Sequence, residues 1–469
     1  MTNVCDFGAT GDGTTDDTAA IQHAIDEGIG LITFPRGVYR ITKSLIIDLK
    51  RSGWTSFDGQ GATARILMHG AGPALVFKGS HRGTADPQSY RSETWMHERM
   101  PLVRDIEIVG QHPDADGILM DGVTQPSLFG VFLRDLRHGI QLTGRSRNVL
   151  IDNCHIYFNK GIGIFLDHVN LHQTIISGSH ISYCRLGGIR IEQSEIRNLQ
   201  ITGNDIEYNN NRSHKIHGAD EEATAEIYLD ARSGSIREGT ICSNTIQSTY
   251  SPNGANIRMI GQGLDKNPQV GMWTISGNLI GSQWNNIHLS GTQGISITGN
   301  YIYSGHNRNV LIEESHQIIL GNNCFGHNAD YGEKKELCTG LTLRDSHDCI
   351  VNSNLLQDCQ SGQHAFPDTP ELQREALLEC YGCRNITISN TQILDSSPYG
   401  IRLHETRDVT LSAVTVTDRR NPCLQESSIL WTGDAGKSII TGCRLGPSRS
   451  KAIQADSDIT PYGCSIDHE

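Results

Sequence analysis

Little in this chain of 469 residues is aromatic, charged or continuously apolar. Aromatic residues make up 6% and Asp, Glu, Lys and Arg together 19%. No stretch of 18 apolar residues occurs, so a bilayer-spanning helix is excluded as a reading of the sequence. No basic block offsets a formal net charge of -13 and a pI near 5.8, which argues against nucleic acid or an anionic membrane as partner. The thirteen cysteines have no framework spacing. Cys154, Cys184, Cys242, Cys324 and Cys443 fall in or beside apolar strand patterns, where a thiol acts as a small apolar residue. Cys380-x-x-Cys383 lacks the second pair that would complete a zinc site. The folded-domain pattern follows Met1 with no basic and apolar leader. Free thiols then point to the cytoplasm, or to secretion if a signal has been removed.

What the chain has is repetition. From about Arg147 to Leu445 one pattern returns, apolar-x-apolar-x-x-Asn-x-apolar, as in ISITGNYI from Ile295 to Ile302. Its sixth position is Cys154, Ser179, Asn204, Asn244, Asn278, Asn300, Asn323, Asn354, Thr391, Val414 and Cys443. The shortest separations, 22 to 25 residues, give the unit, and longer ones are that unit plus an insertion. Two or three strands of about four residues cannot bury an apolar face alone, so successive copies must stack into one core. Stacking puts equivalent positions roughly 4.8 Å apart, where asparagine amides can bond along the axis. The fold class expected is all-β, a parallel β-helix of about eleven or more coils.

The N-terminal VCDFGATGDGTTDDTAAI, Val4 to Ile21, supplies tight-turn glycines and then a helix. Thr15 or Asp16 caps it, its apolar stripe is Ala20, Ile21, Ala24 and Ile25, and it ends at Gly28. Strand, Pro-Arg-Gly turn and strand follow in GLITFPRGVYRIT, Gly30 to Thr42. Residues 1–45 are therefore expected to cap an open solenoid end, and residues 46–469 to form the β-helix. Inserted loops are expected at 80–104, 207–224, 326–338 and 360–373, and a helical turn or two at Asp368 to Leu378. DFGATGDGTTDDTAAIQ with ITFPRGVYRI resembles the opening of the pectate-lyase-like superfamily. The resemblance implies a right-handed parallel β-helix and carbohydrate chemistry. The Asn-Thr-Asp, Asp-Asp, Gly-His-Gly and Arg-Ile-Lys set of its polygalacturonase branch is not found along successive coils.

Chemistry is expected where outward side chains of stacked Gly-Ile-x-Ile strands form a row. Coil by coil these read Gly163 and Phe165, Arg190 and Glu192, Tyr228 and Asp230, Arg258 and Ile260, and His288 and Ser290. Leu311 and Glu313, Thr342 and Arg344, Leu377 and Glu379, and Arg402 and His404 continue the row. Glu192 and Asp230 at equivalent positions of adjacent coils should lie on the order of 5 Å apart. That separation suits a retaining glycosidase, with one carboxyl kept protonated by its neighbour's charge. Arg190, Tyr228, Arg258, His288, Glu313 and Arg344 are the expected substrate-binding residues, and no metal is expected for hydrolysis. The same face suits β-elimination on a uronic-acid glycan, with arginines neutralising the uronate and Tyr228 or His288 taking the proton. Calcium would then be held by the carboxylates. A third reading is a β-helix that binds glycan without cleaving it. In each case the partner is an oligo- or polysaccharide, and subunits packed side by side could share a groove as a homo-oligomer.

Overall fold

Three short strands and three turns make one coil, and the coil at residues 187–207 shows why. Strands Gly187–Glu192, Glu195–Thr202 and Asp205–Glu207 alternate inward and outward. Ile189, Ile191, Ile196, Leu199, Ile201 and Ile206 are fully buried. Each such burial contributes roughly 1.5–3 kcal/mol, but only once coils above and below close the core. The two sharp corners turn through left-handed residues, Gln193 (φ 52°) and Gly203 (φ 66°). Side chains just inside the corners satisfy the backbone amides of the coil below: Val169 N–H donates to Ser194 Oγ at 3.1 Å, and Ser179 N–H to Asn204 Oδ1 at 3.0 Å.

The computed structural model describes residues 1–83, 86–210, 224–263, 269–328, 340–357 and 375–467. It is a right-handed parallel β-helix of three sheets with few helices, and every strand pairing given for the described residues is parallel. Two compact units divide it, Met1–Thr240 and Ile241–Glu469. We call the sheet holding Gly187–Glu192 the site sheet.

In the first unit, helix Thr18–Glu27 buries Ile21, Ala24 and Ile25, and Asp16 accepts from Thr18 N–H. Its Gln22 amide both donates to Ile46 O (3.0 Å) and accepts from Ile46 N–H (2.8 Å). The helix thereby pairs the otherwise open edge of strand Leu45–Asp48. Strands Leu31–Thr33, Gly37–Ile41 and Leu45–Asp48 pair in register with Ser56–Asp58, Ala64–Met68 and Gly72–Lys78. The 80–104 insertion holds a 3-10 turn at Pro87–Ser89, a single π turn at Thr94–Glu98 and strand Leu102–Arg104.

The second unit carries the asparagine ladder expected from the repeat. Asn244, Asn278, Asn300, Asn323 and Asn354 are joined by Nδ2–H to Oδ1 bonds of 2.9–3.1 Å, and the Oδ1 atoms of the last four also accept a backbone N–H. A second ladder, Asn256–Asn286–Asn309, lies inside the strand-opening corner (2.9 and 2.6 Å). Of the expected loops, residues 211–223, 329–339 and 358–374 lie outside the described residues. The helical turn expected from Asp368 also begins there, and its end is instead strand Ala376–Tyr381. Leu378 and Cys380 face the core and align with Ile401 and Leu403 of the next strand, a two-residue period that a strand supplies and a helix does not.

Candidate functional site

The expected site residues fall into two groups, one in each unit. In the first unit, strands Gly187–Glu192 and Ala225–Asp230 pair so that Arg190 faces Tyr228 and Glu192 faces Asp230. The vertical adjacency expected of the two carboxylates is thus present. The coil below differs from expectation, because Phe165 aligns with Arg190 and Asp167 with Glu192. Gly163 points inward, where an added Cβ would meet Gly188 O at 2.7 Å. The inward pair of that strand is Ile164 and Leu166, so the outward pair shifts by two residues. Asp167, Glu192 and Asp230 therefore form a rank of three carboxylates.

Each of the upper two is held by a guanidinium. Arg190 Nε donates to Glu192 Oε2 at 2.9 Å, and the same guanidinium lies 5.2 Å over the Tyr228 ring. Arg232, in the turn after the strand, reaches back to Asp230 with Nε at 2.9 Å, Nη2 at 2.5 Å and its own backbone N–H at 3.0 Å. Burial of Asp230 favours the neutral acid, but these hydrogen bonds and the charges of Arg232 and Arg190 outweigh it. Its carboxyl stays below the usual range, so Asp230 is not the member of the pair that crowding keeps protonated.

In the second unit, Arg258, His288, Leu311, Thr342, Glu379 and Arg402 align on consecutive strands of one sheet. Ser290, Glu313, Arg344, Tyr381 and His404 form the parallel row. Glu379 thus takes the row assigned to Leu377, and Leu377 is buried. Here Cys380 completes the inward alternation with Leu378, a role a thiol fills but a search for aliphatic pairs overlooks. Arg258, His288, Glu313 and Arg344 line one cavity of about 400 Å³ together with Trp284 and Arg308. Arg258 Nε donates to His288 Nδ1 at 3.3 Å, leaving Nε2–H to donate to Glu313 Oε2 at 2.9 Å. Arg344 stands 3.6 Å from the other Glu313 oxygen. Burial, with the Arg258 charge, holds His288 neutral, and the His288 bond helps keep Glu313 ionised. Both imidazole nitrogens are engaged, so His288 is a link in a chain and not the vacant base that elimination needs.

Behind the cavity Arg308 donates to Glu379 Oε2 at 2.9 Å and to Thr342 Oγ1 at 2.6 Å, and Glu379 is fully buried. Asp167, Arg232, Arg308 and Tyr381 were missed by sequence reasoning. Two of them were displaced by register, and Arg232 sits past the strand where alternation says nothing. Among the described residues no three His, Cys, Asp or Glu side chains group as a metal site requires. Glu192 Oε2 and both Asp230 oxygens accept from arginines, an ion-paired arrangement and not that of calcium ligands.

Residues 1–224 match the family described as rhamnogalacturonase A/epimerase, pectate lyase-like. Over 77 residues, 14% of this chain, the sequence is 40% identical to mannuronan C5-epimerase AlgE5 of Azotobacter vinelandii. That stretch spans 8% of the relative's length. Among solved structures, the A-module of mannuronan C-5 epimerase AlgE4 from Azotobacter vinelandii has 14% identity and a TM-score of 0.40, over 99% of this chain and 97% of that one. The catalytic unit of the GH87 alpha-1,3-glucanase from Streptomyces thermodiastaticus has 13% identity and a TM-score of 0.37, over 99% and 68%.

Proposed function

Because this chain belongs to the pectate-lyase-like superfamily of right-handed β-helices, a group of carbohydrate-active proteins, we propose that it hydrolyses a glycosidic bond at Glu192 and Asp230. The observation that carries this reading is their in-register pairing on neighbouring strands. Adjacent parallel strands lie roughly 4.8 Å apart, close to the roughly 5–5.5 Å between carboxyl groups of retaining glycosidases. Asp230, kept ionised by Arg232, attacks the anomeric carbon. Glu192 gives a proton to the departing oxygen as the glycosidic bond breaks, then takes one from a water whose oxygen attacks the anomeric carbon, breaks the bond to Asp230 and releases the sugar. Arg190 holds Glu192 until a bound sugar draws the guanidinium away, and carboxyl geometry of this kind tightens only in the substrate complex. Tyr228, packed under Arg190, fixes where that guanidinium rests.

β-Elimination or epimerisation at a uronate is the second reading, supported by the Arg190 contact with Tyr228, since a nearby guanidinium favours a phenolate base. Incubation with neutral and uronic oligosaccharides separates the two. Hydrolysis adds the mass of water per cleavage, elimination leaves an unsaturated product absorbing in the near ultraviolet, and epimerisation leaves chain length unchanged. Glu192→Gln and Asp230→Asn should each slow hydrolysis by at least roughly 10²-fold. Turnover retained in both would remove the pair from the mechanism.

A further inference from the structure

The 80–104 insertion encloses a small polar cavity that the glycan-cleaving reading does not use. It measures about 160 Å³ and is lined by Ser80, His81, Arg82, Ser89, Arg91 and Thr94. His81 is 2% exposed, and its Nε2 is buried with no hydrogen-bond partner. Most buried polar atoms in proteins are paired, so an orphan nitrogen that also lines a polar cavity marks a place for a missing partner.

Three guanidinium groups around that imidazole favour negative charge. Its ring stacks on Tyr90 at 4.5 Å, and the Arg147 guanidinium covers the Tyr90 ring at 5.0 Å. Arg145 Nη1 donates to Gly83 O at 3.0 Å, which brings a third guanidinium to the cavity's rim. Arg82 Nη1 donates to His81 O at 2.8 Å. Glu98, the nearby carboxylate, is turned away and consumed by Ser80, accepting from its N–H at 2.6 Å and its hydroxyl at 2.5 Å. Burial, then the charges of Arg147, Arg145 and Arg82, push His81 down to about 4 against the weaker pull of Glu98. At neutral pH the ring is uncharged and can offer an Nε2–H.

Gly122 makes the arrangement sterically feasible. With φ at +63° it lies against Arg82, and an added Cβ would sit 1.8 Å from Arg82 Nη1. The guanidinium occupies the space a side chain would fill. Arg82 also stands 3.6 Å from Asp121, at the end of a strand of the site sheet in the same unit.

We propose that this pocket binds a small oxyanion, held by His81 Nε2–H and the guanidinium groups of Arg82 and Arg91. The anion is either free, as sulfate or phosphate, or the carboxylate or sulfate substituent of an acidic sugar. The site is independent of the reaction at Glu192 and Asp230.

Isothermal titration of the full chain with sodium sulfate, inorganic phosphate, sodium glucuronate and glucose tests it. Saturable binding of at least one anion and none of glucose is expected. Sulfate or phosphate binding alone identifies a free ion as the source, and preference for glucuronate identifies the sugar substituent. Arg91→Ala, an exposed change that leaves the core untouched, should weaken binding at least tenfold. Gly122→Ala should do the same by displacing Arg82. The His81 imidazole resonance should move on saturation, and its titration midpoint should rise from about 4, because an adjacent anion favours the imidazolium. No saturable anion binding, equal binding of glucose, or unchanged affinity in Arg91→Ala would each overturn the proposal.

Discussion

Arg232 decides the protonation of Asp230. Without it, a mostly buried carboxyl would drift upward, because burial opposes the charged form. Replacing Arg232 by Met should therefore move the acidic limb of the pH–rate profile to higher pH, measurable as kcat/KM between pH 3 and 7. A stability change follows with a definite sign. Asp230 is depressed in the folded state, so its contribution is fully present above the unfolded carboxylate value, about 3.9, and is lost as pH falls through the folded value. The Tm difference between wild type and Arg232→Met should accordingly be largest above about pH 4 and shrink below it. For the carboxylates themselves, Glu192→Gln and Asp230→Asn should lower kcat by roughly 10²–10⁴ with the circular dichroism spectrum unchanged. Glu379 makes a contrasting case, since it is fully buried, bonded to Arg308 and remote from solvent. Glu379→Ala strands a buried guanidinium and should cost about 3–5 kcal/mol in chemical denaturation.

At the scale of the element, the corner ladders do the work that hydrogen-bonded neighbours do in a flat sheet. Asn300 Oδ1 accepts from Asn278 N–H and Nδ2–H, and its own Nδ2 donates to Ile275 O and Asn323 Oδ1. Asn300→Ala leaves buried donors and acceptors unpaired and should destabilise by about 2–4 kcal/mol. Urea denaturation checks it, and a change under about 0.5 kcal/mol would mean the ladder is dispensable. This ladder was legible because one buried corner imposes the same residue type at separations of 22 and 23 positions, lengthened to 31 and 34 where a coil carries an insertion. The Asn256–Asn286–Asn309 ladder obeys the same physics but passes unnoticed, because other coils put Gly188 or Ser428 there. Alternation also located the site sheet and the pairing of Glu192 with Asp230. It slipped by two residues at Gly163 and Leu377, where three apolar residues or a cysteine blur which pair faces inward. The engagement of Asp230 by Arg232 was beyond reach, since a side chain folding back from a turn follows no period.

Over the whole molecule, coils contact mainly the coils next to them, so stability is a sum of local interfaces. Loss of amide protection in Asn300→Ala should concentrate in the coils flanking residue 300 and fade with distance along the second unit, as hydrogen exchange can map. The same architecture explains how one fold hosts unlike reactions. Inward positions are committed to the core and outward positions of the site sheet are free to vary, so chemistry is set by a few outward residues on consecutive coils. In the first unit that choice is a rank of carboxylates, and in the second it is an arginine-rich cavity with a neutral histidine. Cleavage of a glycan by water at Glu192 and Asp230 is open to test by mass spectrometry of products formed from neutral and uronic oligosaccharides in 18O-labelled water. Cleaved products carrying one label at the new reducing end are expected from wild type and none from Asp230→Asn. Unlabelled unsaturated fragments, or intact chains under every condition, would contradict hydrolysis at this pair.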